Sequence, residues 1–368
     1  MCTLRRPSPA CLTFALVVAL APAARGQDPT YQVDKEYKLQ LKADALVRKE
    51  WTRNLFADPD TDRWRFQIRP RLEVSVDWFR LGVGGDFDYS SDQNLEDLPA
   101  GQPLRDNYDS RDARLDLAFA GLETRYLGVQ GGRFRMPVGL TEMLWDRDLR
   151  PQGGAVTLRT GGSGGRLSAT ALGARGSHPL DDDDAELLLF SATADLPSGR
   201  QTRLELTGSY LKFRKLEGIE PRLRRQNNRN ATGGLAHDYH VWDGVARLRH
   251  EGPVPLQLVA DYSHNGAVDA QGRGLWLAAV LGAIKGSRSR LEYTYASVDR
   301  DATVAAYAGD DFFWQTGWEG HRGDLGVRAG ERSSLHVIGQ LIRFKDAART
   351  DEQEHWIRRY RVELRVDY

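Results

Sequence analysis

Residues 360–368 read YRVELRVDY, and their alternation decides the fold. Tyr360, Val362, Leu364, Val366 and Tyr368 fall on one side; Arg361, Glu363, Arg365 and Asp367 fall on the other. A period of two is that of a strand. One face is wholly apolar and aromatic, and the other is wholly charged. The alternative is an edge strand of a soluble sandwich, where charges of both signs at every inward position would be costly in a dry core. A transmembrane barrel accommodates them, because its lipid face is apolar and its lumen is polar. A terminal strand that ends on an aromatic residue is also the usual recognition feature for outer-membrane assembly. Leu364, Val366 and Tyr368 are therefore the candidate assembly signal.

The same period returns near the start. Trp64, Phe66, Ile68, Pro70, Leu72, Val74, Val76 and Trp78 alternate with Arg65, Gln67, Arg69, Arg71, Glu73, Ser75 and Asp77. Aromatic residues bracket this run as they bracket strands at the two membrane interfaces. The proline is tolerable only near a strand end or an irregularity. Sixteen candidate strands follow from such patterns: 41–53, 64–77, 79–90, 111–121, 127–137, 153–160, 166–175, 185–195, 201–213, 239–250, 256–264, 273–284, 289–299, 319–329, 334–345 and 355–368. Between them, short links alternate with long ones at 54–63, 91–110, 138–152, 176–184, 214–238, 265–272, 300–318 and 346–354. Short periplasmic turns alternating with long external loops are the habit of outer-membrane barrels. The expected fold is all-β, a transmembrane antiparallel β-barrel of about 16 strands with both termini on the periplasmic side, fourteen or eighteen strands being the neighbouring counts.

Composition agrees with this reading but does not force it. The 368 residues carry 51 basic and 51 acidic side chains, so nothing points to nucleic acid or to a polybasic membrane tail. A mean hydropathy of −0.53 would suit a soluble protein, and equally a barrel that shows lipid only every second residue. Residues 1–26 have the form of a signal peptide: Arg5 and Arg6, an apolar run at 12–21, then small residues at 21–26. Both cysteines, Cys2 and Cys11, lie inside it, so the processed chain would hold no disulfide. Cys11 precedes the apolar run, whereas a lipidated cysteine would follow it. Residues 27–40 read as a polar periplasmic lead-in, with a helix over 37–51 as the competing pattern, and 41–368 as one barrel domain.

Two segments carry a family resemblance. Residues 131–158, GGRFRMPVGLTEMLWDRDLRPQGGAVTL, place Gly132, Arg133, Pro137, Leu144, Trp145, Asp146, Asp148, Leu149 and Gly153 in a glycine-arginine strand, a Leu-Trp-Asp-x-Asp-Leu loop and a glycine before the next strand. Residues 299–329 add Asp301-Ala302-Thr303-Val304, Asp310-Asp311-Phe312, Gly320-His321-Arg322 and Leu325-Gly326-Val327. Both resemble a bacterial outer-membrane family of sixteen-stranded porin-like barrels, and with 64–90 the resemblance covers most of 41–368. Two features depart from it. The bulky 313–318, FWQTGW, stands where the family has a glycine-rich link, and the long coiled lead-in of some members is missing. The resemblance implies an outer-membrane channel and leaves the solute open.

Loop 138–152 is the candidate constriction. In general porins the third external loop folds into the lumen, and here it carries Glu142, Asp146, Arg147, Asp148 and Arg150. Arg65, Arg69, Arg71, Arg114 and Arg203 are expected on the wall facing it. An acidic loop against a basic wall would set a transverse field that orients polar solutes. The alternative leaves this loop over the rim with its charges solvated. Glu73, Asp77, Asp86, Asp88, Asp116 and Glu205 are also expected inward, so selectivity of either sign should be modest.

Other polar groups weigh less. Asp181–Asp184 lack the ligand spacing and glycine of a calcium loop and read as a solvated tip. Arg222, Arg224, Arg225 and Arg229 either touch lipopolysaccharide phosphates or simply solvate a loop. His237 and His240 would face opposite sides of a strand, so no metal is expected. No cofactor is implied. The leading functional expectation is passive diffusion of small polar solutes or ions. Its partners would be outer-membrane lipid and lipopolysaccharide, the outer-membrane assembly machinery and the solutes, with a homotrimer suggested by other sixteen-stranded porins. The rivals are a plugged structural barrel and a phospholipase-like barrel enzyme, for which His264 beside Asn265 is the nearest candidate, without a matching serine motif.

Overall fold

The computed structural model describes residues 30–34, 37–53, 61–91, 111–162, 165–175, 185–219, 227–312, 316–345 and 356–368. The expected signal peptide, Asp181–Asp184, Arg222, Arg224 and Arg225 lie outside these residues.

Sixteen antiparallel strands close into a ring. In chain order they follow a short β1 (Thr30–Asp34): β2 (Tyr37–Arg53), β3 (Thr61–Val76), β4 (Phe79–Ser90), β5 (Arg111–Glu123), β6 (Leu127–Arg133), β7 (Gln152–Gly162), β8 (Gly165–Arg175) and β9 (Glu186–Pro197). The second half is β10 (Thr202–Arg214), β11 (His240–His250), β12 (Leu256–Asn265), β13 (Arg273–Gly282), β14 (Ser289–Val298), β15 (Trp318–Arg328), β16 (Ser333–Phe344) and β17 (Ile357–Asp367). Each strand pairs with the next in sequence, and β17 pairs back onto β2. The seam is finished at the last residue. Ala43 N–H donates to the Tyr368 carbonyl at 2.9 Å, and Tyr368 N–H donates to the Ala43 carbonyl at 2.7 Å.

Beyond that point β1 takes over the exposed edge of β2, pairing with residues 37–40. Strand pairing therefore reaches into the segment read as a lead-in, and the stretch 37–51 is strand rather than helix.

Alternation works as the sequence implies. Tyr360 is 46% exposed on the outer face while Arg361 is 2% exposed inside, and Trp64 and Arg65 divide in the same way at 45% and 1%. The outward side presents leucine, valine and aromatic side chains; the inward side carries charges, ion-paired across neighbouring strands. Glu363 accepts from Arg48 at 2.6 Å, and Glu50 from Arg63 at 2.9 Å. Buried charges persist only when paired in this manner.

Two local departures have clear causes. Pro70 has no N–H for the ladder, and the β3–β4 pairing is interrupted between Ile68↔Phe87 and Arg71↔Gly84, next to a bulge at Gly84/Gly85. Asp77, expected inward at the end of β3, instead occupies the two-residue turn to β4 with a positive φ of 48°, exposed to solvent. A hairpin turn needs a left-handed residue there, and aspartate tolerates it.

Candidate functional site: a lumen crossed by two loops

The strand β6 is short. It ends at Arg133, opposite Ala118 in the middle of β5, so the chain leaves the wall partway up the barrel. The sequence had continued this strand to residue 137. Gly132 makes the exit feasible: its φ is +110°, and a Cβ there would lie 2.3 Å from the Ala118 carbonyl oxygen. Gly153 on the returning strand is equally confined, with the Gly173 carbonyl oxygen 2.2 Å from where its Cβ would be. The glycines quoted for the family resemblance thus mark the two ends of an inward excursion.

Residues 134–151 cross the lumen and touch walls on different sides of the ring. Asp148 accepts from Arg69 at 2.8 Å and lies 3.7 Å from Arg65, both on β3. Arg150 pairs with Asp116 of β5 at 2.9 Å. On the far side, the Thr141 hydroxyl donates to Asp261 of β12, and Arg247 of β11 donates to the Gly139 carbonyl. Glu142 accepts from Arg322 of β15 at 3.2 Å. Asp146 caps the loop's own turn, accepting from the Asp148 N–H at 2.7 Å. Burial works against the Asp148 carboxylate, but Arg69 and Arg65 outweigh it and hold its pKa below the usual carboxylate range.

Of the loop charges, Glu142, Asp148 and Arg150 thus meet the wall directly, not across open water. Of the expected basic partners, Arg65 and Arg69 join them. Arg114 stands one shell out, sharing Asp86 with Arg69 at 2.9 and 3.1 Å. Arg71 pairs with Asp44 instead, and Arg203 pairs at 2.8 Å with Asp195 of β9, exposed near the short-turn end. Those two do not face the loop, which corrects the expectation. Their strand positions are inward, but they sit too far along the barrel axis to reach it.

A second loop enters as well, which sequence reasoning missed. Residues 301–312 are buried without exception. Tyr307 stacks between Trp145 of the first loop, centroids 5.6 Å apart, and Phe213 of β10, 5.7 Å apart. Asn227, fully buried, donates to the Arg300 and Thr303 carbonyls and accepts from the Ala305 N–H. Asp311 is the hub between loops and wall. It pairs with Arg48 of β2 at 3.0 Å, with Arg361 of β17 and with Arg147 of the first loop. These arginines keep its carboxyl well below the ordinary range despite its burial. One signal was available: Ala302-Thr303-Val304-Ala305-Ala306-Tyr307-Ala308 is too apolar for a solvated external loop.

Together the two loops build an apolar cluster within the ring that includes Leu144, Trp145, Val304, Tyr307 and Phe312. On the short-turn side of them remains a cavity of about 1140 Å³.

The remaining candidates are not brought together. His264 sits opposite the exposed Trp242 on the outer face, whereas its neighbour Ser263 is buried inward against Met143. Asn265 spends its amide on the Asp238 and Asp301 carbonyls. The ring of His240 lies against Tyr210, while His237 reaches toward Asp301 at 3.8 Å. Among the described residues no cluster of three metal-ligating side chains occurs.

No protein-family model matches the sequence, and a search of curated proteins also finds no match. Solved structures do match. Salmonella typhi OmpF in complex with daunomycin aligns over 92% of this chain and 100% of its own, at 14% identity and a TM-score of 0.55. Pseudomonas putida OprB at high pH aligns over 91% and 95%, at 12% identity and a TM-score of 0.60. At these identities the likeness concerns architecture, and the chain folds as a sixteen-stranded barrel of the porin type.

Proposed function

We propose that the chain is an outer-membrane porin through which small polar solutes or ions diffuse passively, with loop 138–152 narrowing the lumen. The observation that carries this reading is the cavity of about 1140 Å³ inside a closed ring whose outer face is apolar. Outer-membrane lipid and lipopolysaccharide would surround it, the assembly machinery would read Leu364, Val366 and Tyr368, and a trimer is the assembly suggested by similar barrels. The segment 1–26 would direct export. We take it to be a channel rather than an enzyme, since Ser263 and His264 face opposite sides of one strand.

A second reading has its own support. The apolar cluster built by the two loops fills part of the lumen, which favours a plugged barrel. Single-channel recording separates the two. The chain from residue 27 onward, refolded into a planar bilayer under a salt gradient, should give stable conductance steps, and the reversal potential reads the sign of selectivity. Silence from protein shown to be inserted and heat-modifiable would favour the plug.

A further inference from the structure

Several strands carry inward apolar residues where the loops cover them, Leu189 of β9 and Phe213 of β10 among them, and on β13 such residues run on into the cavity. The β13 sequence RGLWLAAVLG is apolar on both faces. Leu275, Leu277 and Leu281 face out, but the inward positions Trp276, Ala278 and Val280 are apolar as well. Trp276 is taken up by the loop cluster, edge to face with Phe312, and Ala278 packs at its margin, but Val280 has no such cover, and a barrel needs no apolar residues facing water in its lumen. The strip is extended on one side by Val259 of β12, on another by Ile284 in the following turn, and by Leu140 of the crossing loop. All of them line the same cavity of about 1140 Å³.

The rest of that cavity is charged. Twelve arginine and lysine side chains line it against eight aspartates and glutamates, and Asp86, Asp88, Asp116 and Glu205 behind the lining pair with arginines of it. Most of these cations are committed: Arg48, Arg65, Arg69 and Arg322 each hold a carboxylate. Arg135 and Lys285 are different. Both line the cavity and are exposed to it, and neither forms an ion pair with a described residue. Pockets of this composition, an apolar wall with a few convergent polar groups, select ligands by shape and fix them by charge.

We infer that this cavity is a binding site for small organic anions with an apolar body, the body lying on the wall of Val259, Ala278, Val280 and Ile284 and the carboxylate drawn to Lys285 beside that wall or to Arg135. The inference rests on the porin reading for its physiological meaning, but the site can be measured without it. A plain inorganic anion would use the cations and gain nothing from the wall. A neutral sugar could accept hydrogen bonds from the cations but would form no ion pair with them.

Two measurements test it, with phenylacetate as the probe and acetate as its apolar-free counterpart. In a planar bilayer, phenylacetate added on the short-turn side should reduce the chloride current at a concentration at least about fivefold below that needed of acetate, roughly the effect of 1 kcal/mol of apolar contact. In Val280→Asn/Ile284→Asn that difference should vanish while the chloride conductance persists. In Arg135→Gln/Lys285→Gln both anions should weaken together. Equal block by the two anions in a conducting barrel would overturn the inference and leave the porin standing. Equilibrium dialysis of labelled phenylacetate against the detergent-folded protein reads the site even where no current flows. Saturable binding lost in the variants would support the site, and binding that is absent or unchanged by the substitutions would overturn it. Binding without conductance would retain the site and sink the porin reading.

Discussion

Asp311 shows how far one carboxylate can organise a barrel interior. It is buried and coordinates three arginines from three elements: Arg48 of β2, Arg361 of β17 and Arg147 of the first inward loop. Removing one member of a buried ionic cluster leaves the others desolvated and unpaired, at a cost of about 3–5 kcal/mol. Asp311→Ala should therefore lower the midpoint of denaturant unfolding in lipid vesicles by that order, and Asp311→Asn, which keeps hydrogen bonds but not charge, by less. An unchanged midpoint would mean that the arginines find water instead. Asp148 gives a pH prediction. Its pKa in the folded protein lies below its unfolded value. The stabilisation it gives is therefore whole above the ordinary carboxylate range near pH 4, and fades only as pH falls through the depressed value. Conductance should be steady from about pH 8 down to about pH 4 and change only well below that, as pH falls through the depressed value at which the latch to Arg69 takes its proton. A change centred near pH 6 would assign the loop's hold to some other group.

At the scale of elements, the inward course of 134–151 depends on the backbone as much as on charge. Valine at position 132 would have to adopt a φ of +110° with its Cβ against the Ala118 carbonyl, a strain of about 1–3 kcal/mol. In Gly132→Val the loop should leave the wall differently, and tryptic cleavage after Arg147 should appear in folded protein where the parent resists. Equal resistance would show that the side-chain latches suffice. This is also where the sequence was least legible. Strands such as β17 declare themselves locally, because every second residue reports its face. The loop's polar residues were visible, but their partners lie far away in sequence: Thr141 with Asp261, Glu142 with Arg322, Arg147 with Asp311. No local pattern encodes such distances. Gly132 and Gly153 carried the hint, and so did the apolar run at 302–308, whose burial was legible only from its poor fit to an external loop.

At the scale of the whole molecule, closure of the ring turns one pattern into two solvents. Nothing distinguishes Leu277 from Ala278 in composition, since both are apolar neighbours on one strand; the pleat sends the first outward and the second inward. The closed ring then makes their surroundings different in kind, because a sheet without edges has no third environment. Arginine placed outward near the bilayer midplane costs about 2–4 kcal/mol, whereas arginine in a water-filled lumen can hydrate. Leu277→Arg should therefore shift the folding midpoint in vesicles by roughly that amount, while Ala278→Arg, at the margin of the loop cluster but on the cavity, should cost less and alter conductance. A barrel filled by its loops at this depth would penalise both substitutions, because the inward arginine would then be buried without a partner. Equal losses would thus place the plug as deep as β13, and unequal ones would establish water beside Ala278.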